Sequence, residues 1–231
     1  MSKIIFDIET VGKDFEKLDK KTQEYIEEWA KIYKNTEETF EERLERRKDQ
    51  LSLSPLTGEI VALAMLDGDS DQGAVYFQAP KKKIKEFKEG KIKFIPGNEK
   101  EILENFWRVI KNVNQFITFN GRTFDCPFII IRSAVHQIKP TKNLTPHRYK
   151  SDFHIDLLDR LTFYGASQRR GNLHFWCQAF GIKSPKSVGI NGNEVKKLFQ
   201  DKNYIDIAKY CLEDVFATKQ LFNIWEKYIK I

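Results

Sequence analysis

The sequence predicts an α/β fold in which a mixed sheet is flanked by helices, with a helical insertion after the first strand. Extended apolar segments are concentrated in the first half of the chain, and helical spacing of apolar residues dominates the second half. A densely charged segment at about 13–54 separates the first strand from the next one. With 231 residues, of which 41% are hydrophobic, the chain is expected to form a single domain over residues 1–231.

The first predicted strand, at 3–10, carries two carboxylates among apolar neighbours. Because side chains alternate along a strand, Asp7 and Glu9 point to one face, whereas Phe6 and Ile8 point to the other. The Cα atoms of the two acids would be about 6.6 Å apart. Two such carboxylates repel each other and are costly to desolvate, so the pattern indicates a cation between them.

The charged segment is predicted to form a pair of exposed helices. Residues 13–50 contain twelve acids and ten bases. The apolar residues of this segment recur at helical spacing, as in Tyr25, Ile26, Trp29 and Ile32. The turn-rich stretch 51–58 returns the chain to the sheet. Nothing in the pattern assigns a function to this insertion.

Two further strands are predicted at 59–66 and 73–78, joined by a hairpin through the Asp- and Gly-rich residues 67–71. The run 81–93 then has seven lysines against two glutamates, a net charge of +5. Solvated surface is the favoured interpretation of this run. It is expected to contribute a loop or a weak strand near 92–95.

The rest of the chain is mostly helical in pattern. Asn98 and Glu101 have the spacing of a capping box at the start of a helix that extends to Ile110. A short strand at 115–119 is expected to end at the turn residue Asn120. The remaining predictions are helices at 127–136, 155–163, 171–180, 193–200 and 203–229, with a loop at 139–153.

Two further acids lie at the start or on the apolar side of predicted helices. Asp214 falls within about 20° of Leu221 in an apolar arc of the last helix, and Tyr210 precedes it by four residues. A surface acid on a helix that is apolar all round would give the same pattern, so this alternative stays open. Asp125 precedes a helix opened by Pro127, and taken alone it is best interpreted as an N-terminal cap.

Together these residues resemble the motifs of the DEDD exonuclease superfamily, which has a ribonuclease-H-like fold. Its first motif, Asp-x-Glu on the first strand, corresponds to Asp7 and Glu9. Its second, an aspartate after an Asn-x-x-x-Phe approach, corresponds to residues 120–125. Its third, Tyr-x-x-x-Asp on a helix, corresponds to Tyr210 and Asp214. Each motif alone is weak, but three in this order on the expected elements are a strong signal. The resemblance covers residue 3 to about 225.

The last motif indicates the tyrosine subclass. The histidine branch needs a histidine five residues before the last aspartate, where this chain has Lys209, and no histidine occurs after His174. The second motif looks most like that of the proofreading exonuclease domain of family B DNA polymerases and of the stand-alone predicted exonucleases related to it. The resemblance therefore implies a ribonuclease-H-like fold and 3′-5′ exonuclease activity.

For the site, the resemblance implies two divalent cations, Mg²⁺ or Mn²⁺, held by Asp7, Glu9, Asp125 and Asp214. Carboxylates without Cys or His ligands suit such hard cations, and two ions about 3.5–4 Å apart clamp an in-line phosphoryl transfer. By resemblance, Asp7 bridges both ions and Asp125 supports the second ion. Glu9 and Asp214 complete the site that holds the attacking water. Tyr210 is expected to orient that water, because an ordinary tyrosine pKa of about 10 makes a poor base.

The substrate-binding candidates are Thr10, Asn120, Arg122 and Phe124, with Arg169 and Arg170 as further phosphate contacts. Thr10 is expected to contact the terminal nucleotide through its backbone. Packing in the core is the favoured alternative for Phe124. Asp156 is expected to cap or orient neighbouring residues rather than to bind metal as a fifth ligand.

The expected substrate is single-stranded DNA or a frayed 3′ end, from which nucleoside 5′-monophosphates would be released. RNA is an alternative, because nothing in the sequence recognises a sugar 2′-OH. A catalytically silent binding module is a third hypothesis, weakened by the presence of all four acids and the tyrosine. The stretch 132–170 has eight basic residues against three acids, net +5, and is as compatible with a phosphate-facing role as with solvated surface. A DNA polymerase or repair partner in trans is also expected.

No membrane partner is expected. No apolar run approaches the roughly 20 residues of a membrane span, and no apolar segment follows a basic leader. The three cysteines form no CxxC pair and favour free thiols in a reducing compartment. The sequence thus predicts a cytoplasmic location.

Overall fold

The computed structural model describes residues 2–32, 38–149, 153–168, 171–184 and 192–230. Its strands are β1 (Lys3–Gly12), β2 (Gly58–Asp67), β3 (Gly73–Gln78), β4 (Phe87–Glu89), β5 (Ile92–Gly97), β6 (Gln115–Thr118) and β7 (His154–Asp156). Its α-helices are α1 (Lys20–Ile32), α2 (Phe40–Asp49), α3 (Glu99–Ile110), α4 (Asp125–Val135), α5 (Leu157–Leu161), α6 (Leu173–Ala179), α7 (Gly192–Gln200) and α8 (Tyr204–Tyr228). Arg169 and Arg170 lie outside the described residues.

The strands form one mixed sheet in the order β4-β5-β3-β2-β1-β6-β7. The central strand β1 is antiparallel to β2 and parallel to β6. Helices cover both faces, so the predicted α/β fold with a mixed sheet and flanking helices is confirmed. None of the helices within the described ranges is long and apolar enough to cross a membrane.

The two faces of the sheet have separate cores. Phe6 and Ile8 of β1 pack with residues of α3 and α4, among them Phe106 and Phe128. Residues of the opposite face, including Ile5, pack against α8. Because side chains alternate along β1, Asp7 and Glu9 share the face of Ile5 and are directed towards α8. The predicted alternation is confirmed.

The charged insertion forms the predicted pair of helices, α1 and α2, followed by a 3₁₀ turn at Gln50–Leu53. A reciprocal capping box between Thr39 and Glu42 begins α2. The insertion is attached to the central strand, because the Thr10 hydroxyl donates to the carbonyl of Ser52 at 2.8 Å. Gly12 allows this approach, since a Cβ atom at that position would be 2.8 Å from Leu51 Cβ.

The sequence-based boundaries differ from the structure at three places. The segment predicted as a helix at 155–163 starts as strand β7, which pairs with β6, and becomes helical only at Leu157. Helix α4 begins at Asp125 rather than at residue 127, and Phe124 occupies its cap position. Strand β4 was not predicted, because a three-residue edge strand is too short to show a period.

One buried ionic network ties α3 and α4 to β2. Glu99, the first residue of α3, is 4% exposed and accepts the backbone N–H of Ile60 at 2.8 Å. Arg132 of α4 donates to its two carboxylate oxygens at 2.8 and 2.6 Å, and His136 Nε2 lies 2.6 Å from Oε2. Burial opposes ionisation, but hydrogen bonds from Arg132, His136 and Ile60 outweigh it and lower the pKa of Glu99.

We expect Glu99→Gln to lower the free energy of unfolding by about 3–5 kcal/mol, because it leaves Arg132 buried without its counter-charge. A lowered pKa stabilises the fold above the ordinary glutamate pKa of about 4.3, and this stabilisation is lost as pH falls through the folded-state value. Urea unfolding should therefore show a large difference between wild type and variant at pH 7 that shrinks below about pH 4.

The matched control is Glu104→Gln, at an exposed position of the same helix. It should change stability by less than about 0.5 kcal/mol. An effect of Glu99→Gln no larger than that of the control would contradict the role assigned to the network.

Candidate active site

The site begins where two parallel strands separate. β1 and β6 pair only through Lys3–Ile5 and Gln115–Ile117. Further along β1, the N–H of Ile8 donates instead to Oδ1 of Asp125 at 3.1 Å. A carboxylate at the start of α4 thus takes the place that a strand carbonyl would occupy in the ladder. This hydrogen bond places the 3% exposed Asp125 next to the acids of β1.

A cluster of three carboxylates faces the space between β1 and α8. Asp7, Glu9 and Asp214 each contribute one oxygen atom, and these atoms all lie within 4.8 Å of one another. All three side chains are partly buried. Cys211, one turn before Asp214, packs α8 onto the strand, because its Sγ lies 3.4 Å from the carbonyl oxygen of Asp7. The sequence-predicted acids of the first and third motifs therefore lie together.

Burial and neighbouring acids raise the pKa values of Asp7 and Asp125. Burial raises the pKa of Asp7 well above its ordinary value, and the charges of Asp125, Asp214 and Glu9 add to this. Burial is also the main reason that the pKa of Asp125 rises to about 7, although the N–H groups of Asp125 and Ile8 oppose the shift. Four acids that share one site ionise together only if a positive charge compensates them.

The donor set fits a hard divalent cation. Within the described part of the chain, Asp7, Glu9 and Asp214 form the one group of three or more Asp, Glu, His or Cys side chains close enough to hold a metal. All of their donor atoms are carboxylate oxygens, the ligands that suit Mg²⁺ and Mn²⁺. Asp125 is not part of this trio, but its charge acts on Asp7 more strongly than those of the other two acids.

Tyr210 lies one turn before Asp214 on α8 and is 5% exposed. Its hydroxyl is hydrogen-bonded to the carboxyl group of Asp214. Burial, followed by the charges of Asp214, Glu9 and Asp7, raises the pKa of Tyr210 far above its ordinary value. The phenol therefore stays protonated at neutral pH and can donate a hydrogen bond, but it cannot act as a general base.

Asp156 organises the turn that leads to Asp125. Its Oδ1 accepts the N–H of Asn120 at 3.0 Å, and its Oδ2 accepts that of Arg122 at 2.9 Å. The same carboxylate caps α5, where it accepts two further N–H groups. Asn120 has a φ of 62°, and Gly121 avoids a clash, since a Cβ there would be 2.5 Å from Thr118. The prediction that Asp156 caps and orients is confirmed.

The substrate-binding candidates make contacts within the protein. Arg122 donates to the carbonyl of Pro146 at 2.7 Å, and its Nε lies 3.6 Å from Asp159. The Asn120 side chain accepts from the hydroxyl of Thr123 at 2.7 Å. The half-buried Phe124 packs against the core of the α3 and α4 face, with its ring centroid 5.5 Å from that of Phe128. The Thr10 hydroxyl is bonded to the insertion, as described above.

Comparisons with known proteins identify the family and the fold. The family model described as "Predicted 3'-5' exonuclease related to the exonuclease domain of PolB" matches residues 74–229. That range contains Asp125, Tyr210 and Asp214, whereas Asp7 and Glu9 precede it. No curated protein matches the sequence significantly.

A solved structure shares the fold. The family B DNA polymerase from the hyperthermophilic archaeon Pyrobaculum calidifontis matches 98% of this chain with a TM-score of 0.53 and 15% sequence identity. The chain spans 24% of the length of that polymerase. At this identity the likeness shows the architecture alone, and it agrees with the ribonuclease-H-like fold expected from the motifs.

The raised pKa of Asp125 predicts a pH-dependent loss of stability in EDTA. Between the ordinary aspartate pKa of about 3.9 and the folded value of about 7, the folded state keeps a proton that the unfolded state has released. The stability of the wild type should therefore decrease as pH rises through this window. Asp125→Asn cannot ionise at this position, and its unfolding free energy should exceed that of the wild type at pH 8 but not at pH 4.

Chemical denaturation across pH 4–8 measures this difference. Asp69→Asn, at an exposed turn position, is the control and should follow the wild-type curve. If the difference in unfolding free energy between Asp125→Asn and wild type were the same at pH 4 and pH 8, the raised pKa of Asp125 would be excluded.

Proposed function

The chain belongs to the family of predicted 3′-5′ exonucleases related to the exonuclease domain of PolB, and from this premise we propose that it is a metal-dependent 3′-5′ exonuclease. It would hydrolyse phosphodiester bonds of single-stranded DNA or frayed 3′ ends and release nucleoside 5′-monophosphates. Residues 1–231 would act as one exonuclease domain. A DNA polymerase or repair enzyme in trans is the partner that would generate such ends.

The observation that carries the proposal is the convergence of acids from three separate segments. Asp7 and Glu9 come from β1, and Asp214 comes from α8. Asp125, at the start of α4, is held beside β1 because it accepts the N–H of Ile8. Burying these carboxylates together raises the pKa values of Asp7 and Asp125, which opposes their ionisation. A fold that keeps so unfavourable a cluster is best explained by a ligand of opposite charge.

Asp7, Glu9, Asp125 and Asp214 would hold two Mg²⁺ or Mn²⁺ ions. When bound, such ions supply Lewis acidity and positive charge at the scissile phosphate. The protein's own contribution is positional. The hydrogen bond from the Ile8 N–H fixes Oδ1 of Asp125 beside β1. The contact of Cys211 with Asp7 sets the separation of α8 from β1.

Tyr210 would orient the attacking water. Its hydroxyl is held by Asp214 and remains protonated, so it offers a fixed hydrogen-bond partner rather than a proton acceptor. The acids would bind the cations, and the tyrosine hydroxyl would fix the orientation of the water. Near the scissile bond, the backbone at Thr10 and the side chains of Asn120 and Phe124 would contact the terminal nucleotide. Arg122 would support the turn through Pro146 and Asp159.

We expect wild-type protein to shorten 5′-labelled single-stranded DNA from its 3′ end with Mg²⁺ or Mn²⁺, and not in EDTA. Asp7→Asn should reduce the rate more than about 100-fold, because even residues that only hydrogen-bond to a metal ligand contribute about 10–100-fold to activity. Asp206→Asn, at an exposed position of α8, is the control and should keep full activity. Gel electrophoresis of the products from labelled DNA and, separately, labelled RNA shows which polymer is shortened and how fast.

Faster shortening of RNA than of DNA would favour the exoribonuclease alternative. Failure to shorten either polymer with either metal, while oligonucleotide binding persists, would favour a catalytically silent binding module and overturn the enzymatic proposal.

Tyr210→Phe removes the hydroxyl but preserves the packing of the ring. The single-turnover rate should decrease about 100-fold, on the order of the effect of removing one aligned hydrogen-bonding group, while Mn²⁺ affinity measured by titration calorimetry stays within about twofold of wild type. A variant that loses metal affinity instead would show that the hydroxyl supports the ligands rather than the water.

A further inference from the structure

The insertion and α7 enclose a cleft of about 690 Å³ beside the catalytic strand. Its floor is Val11 and Gly12 of β1, and Val11 lies only two residues, or about 7 Å, beyond Glu9. One wall is the segment that begins the insertion, and the opposite wall is α7. A cleft of this size falls within the range that holds nucleotide-sized ligands.

The cleft opens on the catalytic face of the sheet. Val11 and Val195 of α7 belong to the same core as Tyr210 and the rest of the buried face of α8. Asp7 and Glu9 share that face of β1, since alternate residues of a strand point the same way. A strand whose end reaches the acids would therefore have this cleft next to it.

Four lysines line the cleft, and three of them are held by acids: Lys17 by Asp14 at 3.2 Å, Lys48 by Glu45 at 2.9 Å and by Glu16 at 3.7 Å, and Lys196 by Asp49 at 3.1 Å. The fourth lysine is Lys13. Two phenylalanines, Phe15 and Phe199, also line the cleft. Lysines beside apolar rings form the kind of surface that contacts the backbone and bases of a single strand.

The pair between Lys196 and Asp49 links α7 to the end of the insertion. Lys196 lines the cleft and belongs to α7, whereas Asp49 is the last residue of α2, next to the lining residue Lys48. Both side chains are more than a third exposed, at 37% and 39%. Exposed pairs of this kind are weak and exchange partners readily, so a phosphate group can compete with Asp49 for the lysine.

Resting on the proposed function, we propose that the insertion serves to build this cleft, and that Lys196 and Lys48 bind phosphate groups of the single strand next to the scissile bond. When no strand is present, Asp49 pairs with Lys196, and Glu45 and Glu16 pair with Lys48. A phosphate oxygen of the substrate then competes with these carboxylates for each lysine.

Substitutions of the two partners of this ion pair test the proposal. The two possible roles of the pair predict different directions for the change in oligonucleotide affinity. If Lys196 binds phosphate, Lys196→Gln weakens binding and Asp49→Asn strengthens it by removing the competitor. If the pair only holds α7 against α2, both substitutions change the affinity for the oligonucleotide in the same direction. Lys197→Gln, the exposed neighbour on α7, is the matched control.

Binding is measured by fluorescence anisotropy with a 5′-labelled 12-nucleotide oligothymidine in EDTA, in an Asp7→Asn background that prevents degradation. We expect Lys196→Gln to raise Kd about 5- to 10-fold at low salt and Asp49→Asn to lower it about 2- to 4-fold. One lost phosphate contact should reduce the slope of log Kd against log salt concentration by about 0.7. Lys48→Gln should act like Lys196→Gln and gives an independent test if the latter variant does not fold.

Equal signs for the two variants, or effects no larger than that of Lys197→Gln, would overturn the cleft proposal even in a protein that degrades DNA. Opposite signs would support it even if the wild type degrades neither DNA nor RNA, in which case the exonuclease proposal alone would fail. The two conclusions are thus separated by two readouts, binding in EDTA and shortening with Mg²⁺.

Discussion

The structure depends on the hydrogen bond from the Ile8 N–H to Asp125, made where β1 and β6 cease to pair. A continuous parallel ladder at this point would have satisfied Ile8 with a strand carbonyl and kept any side chain of α4 away from the acids of β1. The separation of the strands makes room for the carboxylate of Asp125. That carboxylate accepts the Ile8 N–H, which a carbonyl of β6 would otherwise accept. The acids of β1 and α4 can therefore lie together without leaving the buried N–H of Ile8 unpaired.

A second carboxylate uses the same device with the opposite electrostatic result. Glu99 and Asp125 are the first residues of α3 and α4, and each accepts a backbone N–H from a neighbouring strand. Glu99 also receives Arg132 and His136, and its pKa is lowered. Asp125 has Asp7, Asp156 and Asp214 as charged neighbours, and its pKa is raised to about 7. One position is built to stabilise the fold, and the other stores electrostatic free energy that a bound cation can release.

The sequence predicted those parts of the site that depend on local periodicity. Alternation along β1 placed Asp7 and Glu9 on one face, and the 100° step of α8 placed Tyr210 and Asp214 on its inner side. The role of Asp125 was visible only through the motif, because taken alone its position favoured a cap, and the structure gives that position to Phe124. Strand β7 is three residues long and shows no period, so its pairing with β6 could not be predicted. The attachment of the insertion to Thr10 and the ion pair between Lys196 and Asp49 join residues far apart in sequence, which no local pattern encodes.

The carboxylate of Asp156 has a consequence for which residues its position can accept. Four backbone N–H groups converge on its two oxygen atoms, three on Oδ1 and one on Oδ2. An asparagine would turn an NH₂ group, which cannot accept a hydrogen bond, towards one of these donors. The shape of the side chain is therefore not sufficient, because both of its terminal atoms must accept hydrogen bonds. Among the side chains of this size, aspartate meets that requirement and asparagine does not, and the four N–H groups hold this carboxyl in place although burial raises its pKa.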